Sequence, residues 1–226
     1  MRIWIPNSIT LLNLSFGLMA ILWASRGDLL WAGVFIVIAA VLDFFDGFLA
    51  RLLKAQSDIG KDLDSMADLV SFGVAPAVIW FNYSLHFGDH WYNYFALVIG
   101  IGAAIRLARF NNDEDQTTSF KGLPSPAAGL LVASVPFMLE YDDLGWEVAL
   151  SHPIVLMVFP WVTALLMVSG LPLFALKFKT FKWEENKLIY GFLILSIGFL
   201  ALFGFFAVPM IICTYILLSL LRKFAA

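Results

Sequence analysis

The sequence predicts an all-α integral membrane protein, a bundle of about eight transmembrane helices, and three observations carry that prediction. Of 226 residues, 61% are hydrophobic and only 14% charged, whereas soluble domains average about 25% charged residues. Apolar stretches recur at lengths near the roughly 20 residues that a bilayer-spanning helix needs. Lysine and arginine are also confined to alternate connections, the pattern expected of cytoplasmic segments.

In chain order the expected spans are 7–25, 29–53, 60–86, 91–111, 124–141, 153–176, 187–204 and 206–223. The first opens on "PNSITLLNLSFG", and the last two are parted only by "FGFFAVP". With both termini cytoplasmic, 13 of the 14 basic residues fall inside: Arg2, Arg51, Lys54, Lys61, Arg106, Arg109, Lys121, Lys177, Lys179, Lys182, Lys187, Arg222 and Lys223. Only Arg26 falls outside, and the outer loop "EYDDLGWEVALSH" carries no Lys or Arg. The net charge of -3 adds little, because orientation follows basic residues and not net charge. The first span lacks a basic leader and a small-residue cleavage site, so it reads as a span, not a removed signal. No linker or repeat divides the chain, and residues 1–226 read as one membrane domain. A lone cysteine, Cys213, excludes an intrachain disulfide and reads as a small buried hydrophobe.

Against this apolar background, "DFFDGFLARLLKAQSDIGKDLDSMAD" at 43–68 holds six aspartates. At about 100° per residue, Asp46, Gly47, Ala50 and Arg51 all fall within about 80° of Asp43 on the second span. On the third span Gly60, Asp64, Asp68 and Ser71 share a face, with Asp62 pointing almost the opposite way. The two faces lie on consecutive antiparallel helices and can meet near the cytoplasmic surface. Intramembrane carboxylates normally pair or line a polar cavity, and four converging acids require protonation or cations. Without His or Cys beside them, Mg²⁺, Mn²⁺ or Ca²⁺ suits the site better than Zn²⁺. Two such ions can clamp the attacking and leaving oxygens of a phosphoryl displacement. Gly47, Ala50 and Gly60 leave space for a ligand, although small residues also serve tight helix packing.

Asp43, Asp46, Gly47, Ala50, Arg51, then Gly60, Asp64 and Asp68 resemble, at every fixed position, the signature of the CDP-alcohol phosphotransferases. That resemblance implies a six-helix catalytic core, often in a homodimer, which moves a phosphatidyl-type group from a CDP-linked lipid to an alcohol and releases CMP. It further implies that Asp43, Asp46, Asp64 and Asp68 hold two divalent metals, with Asp68 as general base. Asp46, Gly47, Ala50, Arg51 and Gly60 would contact the CDP moiety, joined by Asn7 and Thr10. "DLVSFGVAPA" at 68–77, "RLARFN" at 106–111, "GLPSPAAG" at 122–129 and "LMVSGLP" at 166–172 are similar to the phosphatidylserine synthase branch of that family. The expected partners are therefore CDP-diacylglycerol or CDP-archaeol, L-serine, membrane lipid and a second copy of the chain. No nucleic-acid partner is expected, and the cell membrane is the expected location.

A serine pocket needs a cation for the carboxylate, preferably a guanidinium that can bind it through two hydrogen bonds. Arg106 and Arg109 at the end of the fourth span have that reading, and a second one as interfacial anchors. Asn111 and Lys121 are further candidates. Asn7 can alternatively cap the first helix, and Thr10 can bond back to its own backbone. Asp58 reads as a loop or capping residue, and Asp62 as an early-turn residue favoured by the helix dipole. His86, His90 and His152 fall on the outer side, away from the acids. Two rivals remain: a relative acting on glycerol 3-phosphate or inositol phosphate, with a denser basic pocket, and a divalent-cation transporter. Transport leaves the fixed Gly, Ala and Arg offsets without a reason.

Overall fold

The structure, a computed structural model, describes residues 4–112, 119–140, 145–174 and 183–225. Helices α1 (Trp4–Ser25) and α2 (Leu29–Leu52) form a hairpin, with Asp28 capping α2 by accepting from the Trp31 N–H at 3.1 Å. Ser57 caps α3 (Asp58–Leu69) through the Gly60 N–H. Asp58 is thus the first residue of that helix.

Helix α3 continues through one π-helical turn, Val70–Val74, into α4 (Ala75–Leu85). Pro76 explains the turn: it has no N–H for the Phe72 carbonyl four residues back, and its ring would crowd that carbonyl in an α-helix. Widening the preceding turn relieves the conflict, so the expected span 60–86 stays one rod.

A 3₁₀ stretch, Trp91–Ala96, leads into α5 (Leu97–Asn112), followed by α6 (Ser125–Glu140), α7 (Trp146–Leu150) and α8 (Pro153–Val168). The expected span 153–176 is longer than α8. Pro172 cannot donate to a helix and disfavours helical geometry at Leu171. The Ser169 N–H closes α8 on the Leu165 carbonyl, and the chain enters a short strand. This strand β2 (Pro172–Phe174) pairs antiparallel with β1 (Ser119–Lys121), Phe120 opposite Leu173. Helices α9 (Trp183–Phe203) and α10 (Ala207–Ala225) are parted by a turn with Gly204 at φ 55°.

Five stretches among the described residues are long and apolar enough to cross a membrane: Trp4–Ser25, Leu29–Leu52, Asp58–Leu85, Trp91–Asn112 and Asn186–Leu221. Helices α6 and α8 are apolar but shorter. The packing has a membrane character: Ala20, Ala24, Ala32 and Ala39 are buried while Leu18, Leu22, Trp31 and Val41 face outward. Small residues at helix contacts let backbones approach closely where lipid is as apolar as leucine. Gly17 shows the limit, since a Cβ there would overlap the Ser71 Oγ. Cys213 is exposed, contrary to the sequence reading. The inward face of α10 carries Ile212, Tyr215 and Ser219, and an all-apolar helix gives no polarity contrast to tell that face from the lipid side.

Candidate active site

Helix α2 delivers Asp43 and Asp46 one turn apart, and α3 delivers Asp64 and Asp68. Carboxylate oxygens of Asp43, Asp64 and Asp68 lie within 4.8 Å of one another. Asp43 and Asp68 are close enough to share a hydrogen bond. Asp46 stands beside this trio. Its Oδ2 accepts from Thr10 Oγ1 at 2.6 Å, and the Asp64 carboxylate lies near enough to act on it electrostatically. Thr10 also bonds back to the Pro6 carbonyl at 3.2 Å, the backbone bond expected from the sequence.

A cavity of about 440 Å³ adjoins the acids and is lined by Asn7, Thr10, Asp46, Gly47, Ala50 and Gly60, with Asp64 at its acidic edge. Asn7 is buried inside α1, which begins at Trp4, so it is not the helix cap. A Cβ on Gly60 would stand 3.0 Å from Asn7 Oδ1, whereas one on Gly47 would meet nothing nearer than Arg51 Nη1 at 3.6 Å. Glycine at 60 thus permits a close helix approach, and glycine at 47 keeps the cavity wall open. Arg51 is exposed in the last turn of α2.

The tentative serine-pocket residues separate into distinct places. Arg106, half-buried on α5, donates from Nη1 to Ser125 Oγ at 2.7 Å, and its charge reaches Asp68, Asp43 and Asp64. Arg109 is exposed and donates to the Val168 carbonyl at 2.9 Å, at the C-terminus of α8, where a cation also suits the helix dipole. Asn111 ties α5 to α3: its Nδ2 donates to Ser65 Oγ at 2.8 Å, and its carbonyl accepts from Lys61 Nζ at 3.1 Å. Lys121 is exposed on β1. Asp62 is exposed, off the acidic face. His86 caps the end of α4 and lines an outer cavity with Arg26 and Glu147. His152 caps the end of α8 far from Val168.

The partners Ser125 and Ser65 escaped the sequence reading. Ser125 was visible only as the serine between Pro124 and Pro126 that opens a helix, and Ser65 as one polar residue on a polar helix.

The donor set fits hard divalent cations, being oxygen only. Asp68 is only 7% exposed and its Oδ1, buried, has no hydrogen-bond partner. A buried carboxylate oxygen left bare is costly, and Asp43, Asp64 and Asp68 are the residues that would hold a cation here.

Comparison with known proteins agrees with this geometry. The chain is 39% identical over 134 residues to the CDP-diacylglycerol–serine O-phosphatidyltransferase of Bacillus subtilis, covering 59% of this chain and 76% of that one. It is 34% identical over 185 residues to the Mycobacterium tuberculosis protein of the same name, covering 75% of this chain and 60% of the relative. An archaetidylserine synthase of Methanothermobacter thermautotrophicus is 32% identical over 147 residues, 62% of this chain and 60% of that one. The CDP-alcohol phosphatidyltransferase family model matches residues 3–173, the stretch that supplies every acid and every cavity residue named above, and the chain belongs to that family.

Proposed function

We propose that this protein is a phosphatidylserine synthase, which transfers a phosphatidyl-type group from CDP-diacylglycerol, or its archaeal ether counterpart, to the hydroxyl of L-serine. The observation that carries this reading is the convergence of Asp43, Asp64 and Asp68 within 4.8 Å beside a cavity lined by the other signature residues. The names borne by its relatives point to serine as acceptor.

The 440 Å³ cavity takes the cytidine and ribose between α1, α2 and the start of α3, with Gly47 and Ala50 leaving room for them. Asp43, Asp46, Asp64 and Asp68 are the residues that would hold two divalent ions, Mg²⁺ or Mn²⁺. Such ions, when bound, offset charge on the pyrophosphate and on departing CMP. Arg106 binds the serine carboxylate, and Ser125 fixes the guanidinium from behind. Asp68 takes the hydroxyl proton as the serine oxygen bonds to the lipid-side phosphorus. The phosphorus–oxygen bond to CMP then breaks, with no covalent enzyme intermediate. The lipid tails stay in the bilayer, and the site opens to the cytosol from the cell membrane. We further propose that the protein works as a homodimer.

The test is purified protein with CDP-diacylglycerol, Mg²⁺ or Mn²⁺, and serine, glycerol 3-phosphate or inositol phosphate supplied singly, with CMP release measured. CMP with serine alone is the expected result. Release only with a phosphorylated alcohol would reassign the acceptor, and no release with any acceptor would remove the enzyme reading.

A further inference from the structure

Asn13 is fully buried, at 0% exposure, and neither its Oδ1 nor its Nδ2 has a hydrogen-bond partner. Buried carboxamides are rarely left so. Asn93, at the other end of the bundle, lacks a partner for its Oδ1 but still donates from Nδ2 to the Gly88 carbonyl. Asn13 has neither bond.

The packing of α1 shows where this amide lies. Asn7, Thr10, Asn13 and Gly17 all belong to the buried face of the helix. Asn7 sits against Gly60, and Gly17 against Ser71. Ten residues along α1 thus correspond to eleven along α3 and its π turn, so the two run parallel. Asn13, whose carbonyl accepts from Ser71 Oγ at 3.1 Å, then falls at the level of Ala67 and Asp68. Helix α2 runs the other way, with Thr10 bonded to Asp46. Three residues further along α1 and three back along α2 bring Asn13 to the level of Asp43. An amide with unused donors and a carboxylate oxygen with no donor, Asp68 Oδ1, therefore occupy the same layer.

We propose that Asn13 is a positioning residue of the carboxylate cluster, whose Nδ2 donates to the Asp68–Asp43 pair and sets the carboxylates in their cation-holding orientation. This inference rests on the cluster being a cation site, as in the function proposed above. Partners of this kind behind metal-binding groups typically change metal affinity by about 10–100-fold when removed. The arrangement also explains why a costly unpartnered amide is kept in the bundle interior: it belongs to the loaded site and not to the empty fold.

The test uses the full-length protein in detergent without substrate, and Mn²⁺ alone as probe. Melting temperature and Mn²⁺ affinity are measured for wild type, Asn13→Ala, Asn13→Ser and Asp68→Asn. Asn13→Ala is expected to melt no lower than wild type without metal, because its amide has no bond to lose, while binding Mn²⁺ about 10–100-fold more weakly. Asn13→Ser, smaller but polar, supplies the same readout should the alanine variant not fold, and is expected to bind between the two. Wild-type Mn²⁺ affinity in whichever Asn13 variants fold, or a lower metal-free melting temperature with affinity unchanged, would overturn the proposal by making Asn13 structural. Asp68→Asn separates the two readings: if it binds Mn²⁺ like wild type, the cation site itself is wrong, whatever Asn13 does.

Discussion

Asp68 and Arg106 are asked to do different things by nearly the same surroundings. Asp68 shares a cluster with two other carboxylates and keeps one buried oxygen bare, so replacing its charge relieves repulsion in the metal-free protein while removing the proton acceptor of the proposed mechanism. Asp68→Asn is therefore expected to melt at or above the wild-type temperature without metal and to release CMP about 10²–10⁴-fold more slowly, the usual worth of a general base. Activity within tenfold of wild type would move the base elsewhere. Arg106 is held by Ser125 at 2.7 Å; in the proposed function its planar guanidinium grips the serine carboxylate through two hydrogen bonds that lysine cannot reproduce. Arg106→Lys should raise the serine KM at least tenfold and leave the KM for CDP-diacylglycerol unchanged, with Ser125→Ala moving the serine KM the same way by less. Equal changes in both KM values would show that Arg106 supports the cluster and not the acceptor.

Elements carry the site because small residues let them approach. Gly17 meets Ser71 on the π turn directly after Asp68, where any Cβ would overlap the hydroxyl. Gly191 on α9 has open space around its Cβ position. Gly17→Val is expected to destabilise the protein by about 1–3 kcal/mol through overpacking, seen as a lower melting temperature, whereas Gly191→Ala should leave it unchanged or slightly higher. Equal effects would mean that the α1–α3 contact is looser than the geometry states. Such contacts also explain which features could be read from the sequence. The acid face was legible because a 100° period and a charge contrast survive in sequence, and the same holds for the apolar spans. The π turn was not, since it arises from Pro76 acting on a carbonyl one turn earlier in a helix that otherwise looks regular. Neither was the early end of α8, where Pro172 prevails over an apolar run. The outward face of Cys213 had no signal, because lipid and protein interior are alike to a hydrophobic pattern. The Arg106–Ser125 bond joins the consecutive helices α5 and α6 across a connection that carries no periodic signal, so only packing could reveal it.

At the scale of the whole molecule, charge and chemistry fall at the same end of the bundle. The end of α2 brings Arg51, the following turn Lys54, the start of α3 Lys61, the end of α5 Arg106 and Arg109, and β1 Lys121. The contact between Lys61 and Asn111 joins the start of α3 to the end of α5, and that between Arg109 and Val168 joins α5 to the end of α8. The opposite end gathers Arg26, Asp28, Glu140 and Glu147 around its own cavity. Basic residues stay cytoplasmic in short connections, so the acid cluster should face the cytosol, where a water-soluble amino acid arrives and CMP leaves. The orientation can be measured by removing the single cysteine with Cys213→Ala and placing new ones by Lys121→Cys at the basic end and by Val148→Cys, which replaces a 78% exposed residue at the other. In sealed cells a membrane-impermeant maleimide should label the variant at 148 and reach the one at 121 only after permeabilisation. The reverse pattern would put the carboxylates on the outer surface, and the supply of serine from the cytosol would have to be abandoned with the orientation.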